Sequence, residues 1–287
     1  MGMSKFIPPL VMVLVFAACD SVRSSSTIRK LSNFEVNQRP TVIGQDLPYE
    51  WAKELAAKLV NAPAVDLKSP DSMHLVKKMI SEVAWIDPRF VKVEVALPEG
   101  LRVTYKSRIP VLSLAVGEQY LGLISLDEYM LPEGFSKAQL DKFVKVAVEK
   151  NTKIPAVGDR VSSPLLQESL RCFPIIDQLK ILTGINFTHI ARQSDYGVQE
   201  DKIAPALSFL TDDGVEVQWG RSDATPDPFS VDRDGNTLSL ERKAQRLALV
   251  LKQFPQLGGL GIVVLDDPIV KVFDRKGAML KLSPDIF

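Results

Sequence analysis

Leu47, Trp51, Leu55 and Leu59 recur every four residues, a spacing that lines one side of a helix from Pro48 to Val60. Asn61-Ala62-Pro63 ends that helix. Ser69-Pro70-Asp71 then supplies an N-cap, a proline suited to the first helical position and an early acid. Met73, Val76, Ile80 and Val83 carry the stripe of a second helix towards Trp85. The period then drops to two. Val91, Val93 and Val95 alternate with Lys92 and Glu94, while Leu101, Val103 and Tyr105 alternate with Arg102, Thr104 and Lys106. Two half-buried strands therefore flank Pro98-Glu99-Gly100. A short strand within Phe34 to Ile43 completes a β-α-α-β-β order.

Strand patterns dominate the rest. Val111 to Ala115 and Tyr120 to Leu126 surround Gly117-Glu118, Gln139 to Lys150 suits a helix, and Ile154-Pro155-Ala156-Val157-Gly158 reads as a loop. Leu165, Leu166, Ser169, Leu170, Phe173 and Ile176 share a helix face that Pro174 is expected to kink. Ile185, Phe187 and His189 alternate at the start of a strand. Ala206 to Leu210 and Val215 to Trp219 flank Asp212-Asp213-Gly214, a strong hairpin turn. Thr225 to Asn236 is a loop rich in Pro, Asp and Gly. Leu240, Ala244, Leu247, Leu251 and Phe254 predict a helix. After Gly258-Gly259, Ile262 to Leu265 and Ile269 to Phe273 are closing strands joined at Asp266-Asp267-Pro268. The expected class is α+β, with a β-α-α-β-β domain over 34–110 and a mostly antiparallel β-sheet domain with flanking helices over 111–287.

Ahead of these elements, Lys5 precedes a continuous apolar stretch from Phe6 to Ala18. A bilayer span takes about 20 apolar residues, so the stretch is short for that role, and Pro8 and Pro9 spoil its first turns. A basic start, a short apolar segment and a small-residue end fit an export signal over 1–18. Phe16-Ala17-Ala18-Cys19 resembles the bacterial lipobox, with Phe16 where leucine is usual. That resemblance implies cleavage before Cys19 and a diacylglycerol on its thiol. With Asp20 next, it implies retention at the outer, periplasmic face of the inner membrane. An uncleaved short signal anchor with an incidental Cys19 is the other reading, and both put the remaining chain outside the cytoplasm. Residues 19–33, with Ser24-Ser25-Ser26, read as a flexible tether.

Composition narrows the function classes. Lys plus Arg and Asp plus Glu each number 35, a balance that disfavours nucleic acid as the main partner. Of two cysteines, lipidation of Cys19 leaves Cys172 alone, which excludes a disulfide framework and a cysteine-rich metal site. No nucleophile elbow, HExxH, P-loop or dinucleotide fingerprint occurs. His74 reads as a surface or capping position, His189 as a half-buried, hydrogen-bonded strand residue, and Cys172 as a small core hydrophobe. Asp232-Arg233-Asp234-Gly235-Asn236 lacks the later ligands of a calcium loop and reads as a turn. The Asn186-Phe187-Thr188 sequon matters only in a eukaryotic secretory route. No catalytic, cofactor-binding or metal-binding residue is assigned, and no small-molecule substrate is expected.

Four stretches, in order and spacing across roughly residues 40 to 275, resemble the FtsQ/DivIB family of bacterial cell-division proteins. Ala84-Trp85-Ile86-Asp87-Pro88-Arg89-Phe90 running into Val91–Val95, then Leu101–Tyr105 and Arg108-Ile109-Pro110-Val111, is similar to the end of that family's POTRA domain. Leu126-Asp127-Glu128-Tyr129-Met130-Leu131-Pro132 is similar to the strand that opens its β domain, and Ile154–Gly158 to its proline-glycine loop. Ala206 to Arg221 is similar to its strand, turn, strand and "G-R" step, after which comes a helix with Arg242 and Arg246. Two departures stand out. Family members usually have a cytoplasmic tail and a true transmembrane helix. Their closing strands also carry an acid-Leu-Arg pattern, where this chain has Val263-Val264-Leu265-Asp266-Asp267.

The resemblance implies a scaffold rather than an enzyme, made of a POTRA-like domain and an FtsQ-like β domain. The last strand of the β domain would lie at a sheet edge and accept a partner strand. Here the implied strand is Ile269-Val270-Lys271-Val272-Phe273, with Phe273 as anchor, and the implied partners are divisome membrane proteins of the FtsB/FtsL kind. Arg275 to Phe287, with Met279, Leu280 and Leu282, either extends that pairing or covers the edge. A POTRA-containing lipoprotein accessory to outer-membrane protein assembly or secretion is the alternative expectation, and an enzyme acting on envelope polymers a third without positive support.

Overall fold

The computed structural model describes residues 13–15, 33–39, 48–62, 70–96, 100–150, 152–193, 205–222 and 230–283. Cys19, the tether, the Ser69 cap and the Pro98-Glu99 turn lie outside the described residues. The chain separates into two compact units, Met1–Ile109 and Pro110–Phe287.

The first unit contains β1 (Val13–Val15), β2 (Asn33–Arg39), α1 (Tyr49–Val60), α2 (Pro70–Ser81), β3 (Lys92–Ala96) and β4 (Gly100–Lys106). Its sheet order is β1-β2-β4-β3, with β2 parallel to β4 and the other pairs antiparallel. Strand β1 falls inside the apolar stretch read as an export segment, and its Val13 and Val15 are strand-favouring residues. The helical spacing places Trp51, Leu55 and Leu59 of α1 and Val76 and Ile80 of α2 inside, with Leu101, Val103 and Tyr105 of β4 beneath them. Trp85 is fully buried at the centre. Its ring stacks on Trp51 at 5.5 Å and meets Tyr105 edge-on at 5.6 Å, and its Nε1–H donates to Glu54 at 3.0 Å. Burial raises the Tyr105 phenol above its ordinary pKa. Asp87 accepts from the backbone N–H of Arg89 and from its guanidinium, capping a 3-10 turn over Pro88–Phe90. That bonding to Arg89 holds the Asp87 carboxyl below the usual carboxylate range. Arg108 closes the unit, donating its N–H to Trp85 C=O at 2.8 Å and Nε–H to Ala84 C=O at 3.0 Å.

The second unit is α+β. Its elements are β5 (Pro110–Val116), β6 (Gln119–Ser125), β7 (Met130–Leu131), α3 (Lys137–Leu140), β8 (Val144–Ala147), α4 (Pro164–Thr183), β9 (Phe187–Arg192), β10 (Leu207–Thr211), β11 (Glu216–Gly220), α5 (Leu240–Gln253), β12 (Leu260–Val264), β13 (Lys271–Asp274) and β14 (Met279–Leu280). One sheet contains all of these strands in the order β14-β13-β12-β11-β10-β9-β8-β5-β6-β7. It is parallel at β5/β8, β8/β9 and β11/β12 and antiparallel elsewhere.

A single register row shows how the sheet is sided. Leu280, Val272, Val263, Val217, Phe209, Ile190, Val146 and Leu114 are successive partners, and the last seven are fully buried. Phe187, Phe209 and Trp219 continue this core as an aromatic stack. The neighbouring row, Met279, Phe273, Ile262, Glu216, Leu210, His189 and Lys145, is half-buried or exposed. A strand alternates its faces, so the Leu280–Leu114 row carries the core and the Met279–Lys145 row lies on the opposite face.

Three expectations change. Gln139–Lys150 is not a helix. A one-turn helix, with Ser136 N–H donating to Gln139 Oε1 at 2.9 Å, gives way to β8. There Val144 and Val146 enter between β5 and β9, so pairing overrides the local pattern. Leu126–Pro132 is a turn leading into the two-residue β7, and the unit opens with β5 instead. His189 does not share a face with Phe187, because a bulge between Leu210 and Thr211 of the partner register skips Thr188 and reverses the alternation. Helix α4 runs through Pro174 without a break.

Candidate functional site

The two margins of the large sheet differ in what finishes them. At the β7 margin the backbone continues to find partners. Met130 N–H donates to Asp159 C=O at 3.0 Å, Gly158 N–H to Met130 C=O at 2.8 Å and Val161 N–H to Glu128 C=O at 2.8 Å. Residues 158–161 thus cover that margin, a common way of blunting an edge. The Arg160–Glu128 ion pair at 2.6 Å reinforces it.

Among the described residues the last strand at the opposite margin is β14, not the expected Ile269–Phe273. Strand β13 lies between β12 and β14, and it contains only Lys271, Val272 and Phe273 of the five expected residues. Val272 and Val270 are buried, at 0% and 3% exposure, so neither side chain is available to a partner. Lys271 and Phe273 are half-buried, and Ile269 is exposed. Lys271 pairs with Asp267. The displacement of the edge by one strand has a local cause. Asp274 Oδ1 accepts from the N–H groups of Lys276 and Ala278, both at 2.8 Å, and Asp274 N–H donates to Ala278 C=O at 2.9 Å. With Gly277 at φ +82°, the chain turns back and lays Met279 and Leu280 against Phe273 and Val272.

The support behind this margin comes from α5. Its buried face is Lys243, Leu247 and Val250; Leu247 belongs to the expected stripe, whereas Leu240, Ala244, Leu251 and Phe254 of that stripe are only half-buried. Arg246 reaches the turn ahead of β13, donating to the carbonyls of Leu265, Asp267 and Pro268. Burial, then the charge of Arg242, lowers its pKa from the ordinary arginine value. Lys243 is fully buried and donates from Nζ to Arg221 C=O at 2.9 Å. Gly220, at φ +79°, has no room for a side chain, since a Cβ there would lie 2.9 Å from Asp266 Cβ. Buried Glu168 of α4 accepts from Ser222 N–H and pairs with Arg171 at 3.2 Å. Buried Lys243 and Glu168 thus hold the backbone at Arg221 and Ser222, at and just after the "G-R" step. Sequence pattern places lysine outside, so the burial of Lys243 had no signal in it.

The remaining polar candidates are spoken for locally. Asp232 accepts from the backbone N–H groups of Asp234 and Asn236, both at 2.9 Å, and faces Arg242 at 3.5 Å, so its loop is a hydrogen-bonded turn. Those bonds, led by the one from Asn236, lower the Asp232 carboxyl. Among the described residues no group of three or more metal-ligating side chains gathers. His74 is exposed on α2. His189 lies 3.0 Å from Thr188 Oγ1, and burial, then the Lys145 charge, lowers its pKa. Asp141 accepts from Tyr120 and pairs with Lys145 at 3.0 Å. Cys172 is buried in α4. A cleft of about 830 Å³ opens beside the ends of β8 and β9 and is bordered by Glu149, Lys153, Asp159, Arg160 and Arg192. Among the described residues no helix is long and apolar enough to cross a membrane.

No protein-family model matches the chain, and a search of curated proteins finds no significant match.

Proposed function

We propose that the chain is a non-enzymatic envelope scaffold of the FtsQ/DivIB kind, held at the periplasmic face of the inner membrane by a lipid on Cys19. It recruits or regulates divisome membrane proteins of the FtsB/FtsL kind by adding one of their segments to its C-terminal sheet edge. The observation that carries this reading is the asymmetry of the large sheet. One margin is covered by the chain's own residues 158–161, whereas among the described residues the other ends in the two-residue β14, with Met279 68% exposed. An edge strand presents unpaired N–H and C=O groups, which give affinity through backbone bonds, while alternate side chains give selectivity. The β2-α1-α2-β3-β4 part of the first unit, with β2 parallel to β4, suits the POTRA-like module that the family reading requires.

A fluorescent fusion exported by a compatible route is expected to gather at the septum, and depletion of the chain to produce filaments. Uniform envelope staining with normal division would contradict the proposal. Envelope leakage without filamentation would assign the chain to outer-membrane assembly instead.

A further inference from the structure

The backbone beyond β13 has a defined polarity. Val272 pairs with Leu280 and Phe273 with Met279, and Asp274 N–H bonds to Ala278 C=O. In an antiparallel ladder, hydrogen-bonded and non-bonded pairs alternate. Residues 278 and 280 therefore direct their groups to β13, and Met279 directs its N–H and C=O to the open side. Two and four residues further on, the open side is already occupied. Gln253, the last residue of α5, donates from Nε2 to Lys281 C=O at 3.1 Å and accepts at Oε1 from Ser283 N–H at 3.0 Å.

That pattern has a specific counterpart. In a parallel ladder, one residue gives its N–H to the carbonyl of residue i and takes the N–H of residue i+2. The Gln253 carboxamide makes the same two bonds, with i at 281. An antiparallel neighbour would instead exchange both bonds with a single residue.

We propose that Gln253 holds the place of one residue of a parallel partner strand. In the complex, an extended segment running parallel to Met279–Ser283 displaces it. The proposal rests on the edge-docking reading and adds direction, register and chemistry. Lys281, exposed two residues beyond Met279, favours a carboxylate on the incoming segment. On the face shared by Leu280 and Val272, an apolar side chain extends the buried row. The occupant is thus a segment alternating apolar and acidic residues. The carboxamide blocks non-specific pairing until such a segment supplies equivalent bonds together with side-chain contacts.

An octapeptide of alternating valine and glutamate, with a nitroxide at its amino terminus, probes this directly against the full chain by NMR. Parallel docking is expected to broaden the amides of Ala278 and Met279 more strongly than that of Ser283, about 13 Å further along the extended chain. Gln253→Ala removes the internal competitor and is expected to bind about fivefold tighter, the equivalent of one net hydrogen bond. Met279→Pro removes an outward N–H that β13 does not use, and is expected to abolish binding while leaving the spectrum of the fold intact. Stronger broadening at Ser283 than at Met279, or unchanged or weaker binding by Gln253→Ala, would overturn the stand-in role while leaving edge docking in place. No binding to either the wild-type chain or Gln253→Ala would overturn both.

Discussion

Val272→Asp is expected to unfold the C-terminal unit rather than produce a folded protein that has lost its partner. Val272 is fully buried, and its row continues through Val263, Val217 and Phe209 to Leu114 without a polar break. A carboxylate there has no cation within the row and loses its hydration, so destabilisation of about 4 kcal/mol or more is expected. Val270→Asp belongs to the same class at 3% exposure. Denaturant unfolding followed by circular dichroism separates the cases. Val272→Asp should lose its cooperative transition or shift it far down. Met279→Asp, at a side chain 68% exposed, should superimpose on the wild type within about 0.5 kcal/mol. A native-like transition for Val272→Asp would mean that β13 is not packed as described.

The other large effect belongs to the first unit. Trp85→Ala removes the ring that stacks on Trp51, meets Tyr105 edge-on and leaves Glu54 without its indole donor. Large aromatic-to-alanine changes in a core cost about 3–5 kcal/mol. In a small unit whose core rests on two helices and one sheet, that approaches the whole stability. Trp85→Phe keeps part of the stack and is expected to recover more than half of the loss. Limited proteolysis should cut the alanine variant within residues 48–106 while the second unit survives as a fragment. Equal resistance of wild-type and alanine chains would contradict the central place given to Trp85.

Where one face of an element is buried and the other wet, its pattern was readable in advance. Leu101, Val103 and Tyr105 are buried between the more exposed Arg102, Thr104 and Lys106, and Trp51, Leu55 and Leu59 line one face of α1. The hairpin around Asp212-Asp213-Gly214 was announced by its turn chemistry in the same way. What escaped depends on partners distant in sequence. Strand β8 exists because β5 and β9 receive it. The reversal at His189 follows from a bulge against β10. Strand β14 contributes only two residues, too few for any periodicity, although Asp274 and Gly277 three positions apart were a legible turn signal. That omission moved the candidate edge. Ile269–Phe273 has the composition of an edge strand, yet its exposed margin is taken by Met279 and Leu280. The roles of Arg246 and Gln253 come from backbone carbonyls and amides brought close only by the fold.

The open margin at β14 is tested most directly by a photocrosslinker placed in living cells. Benzoylphenylalanine at position 279 lies on the outermost strand, and at position 160 it lies on the segment that covers the opposite margin. Position 279 should yield a discrete adduct with an envelope protein in dividing cells, and position 160 none. No adduct at 279, or equal adducts at both positions, would contradict docking at this edge.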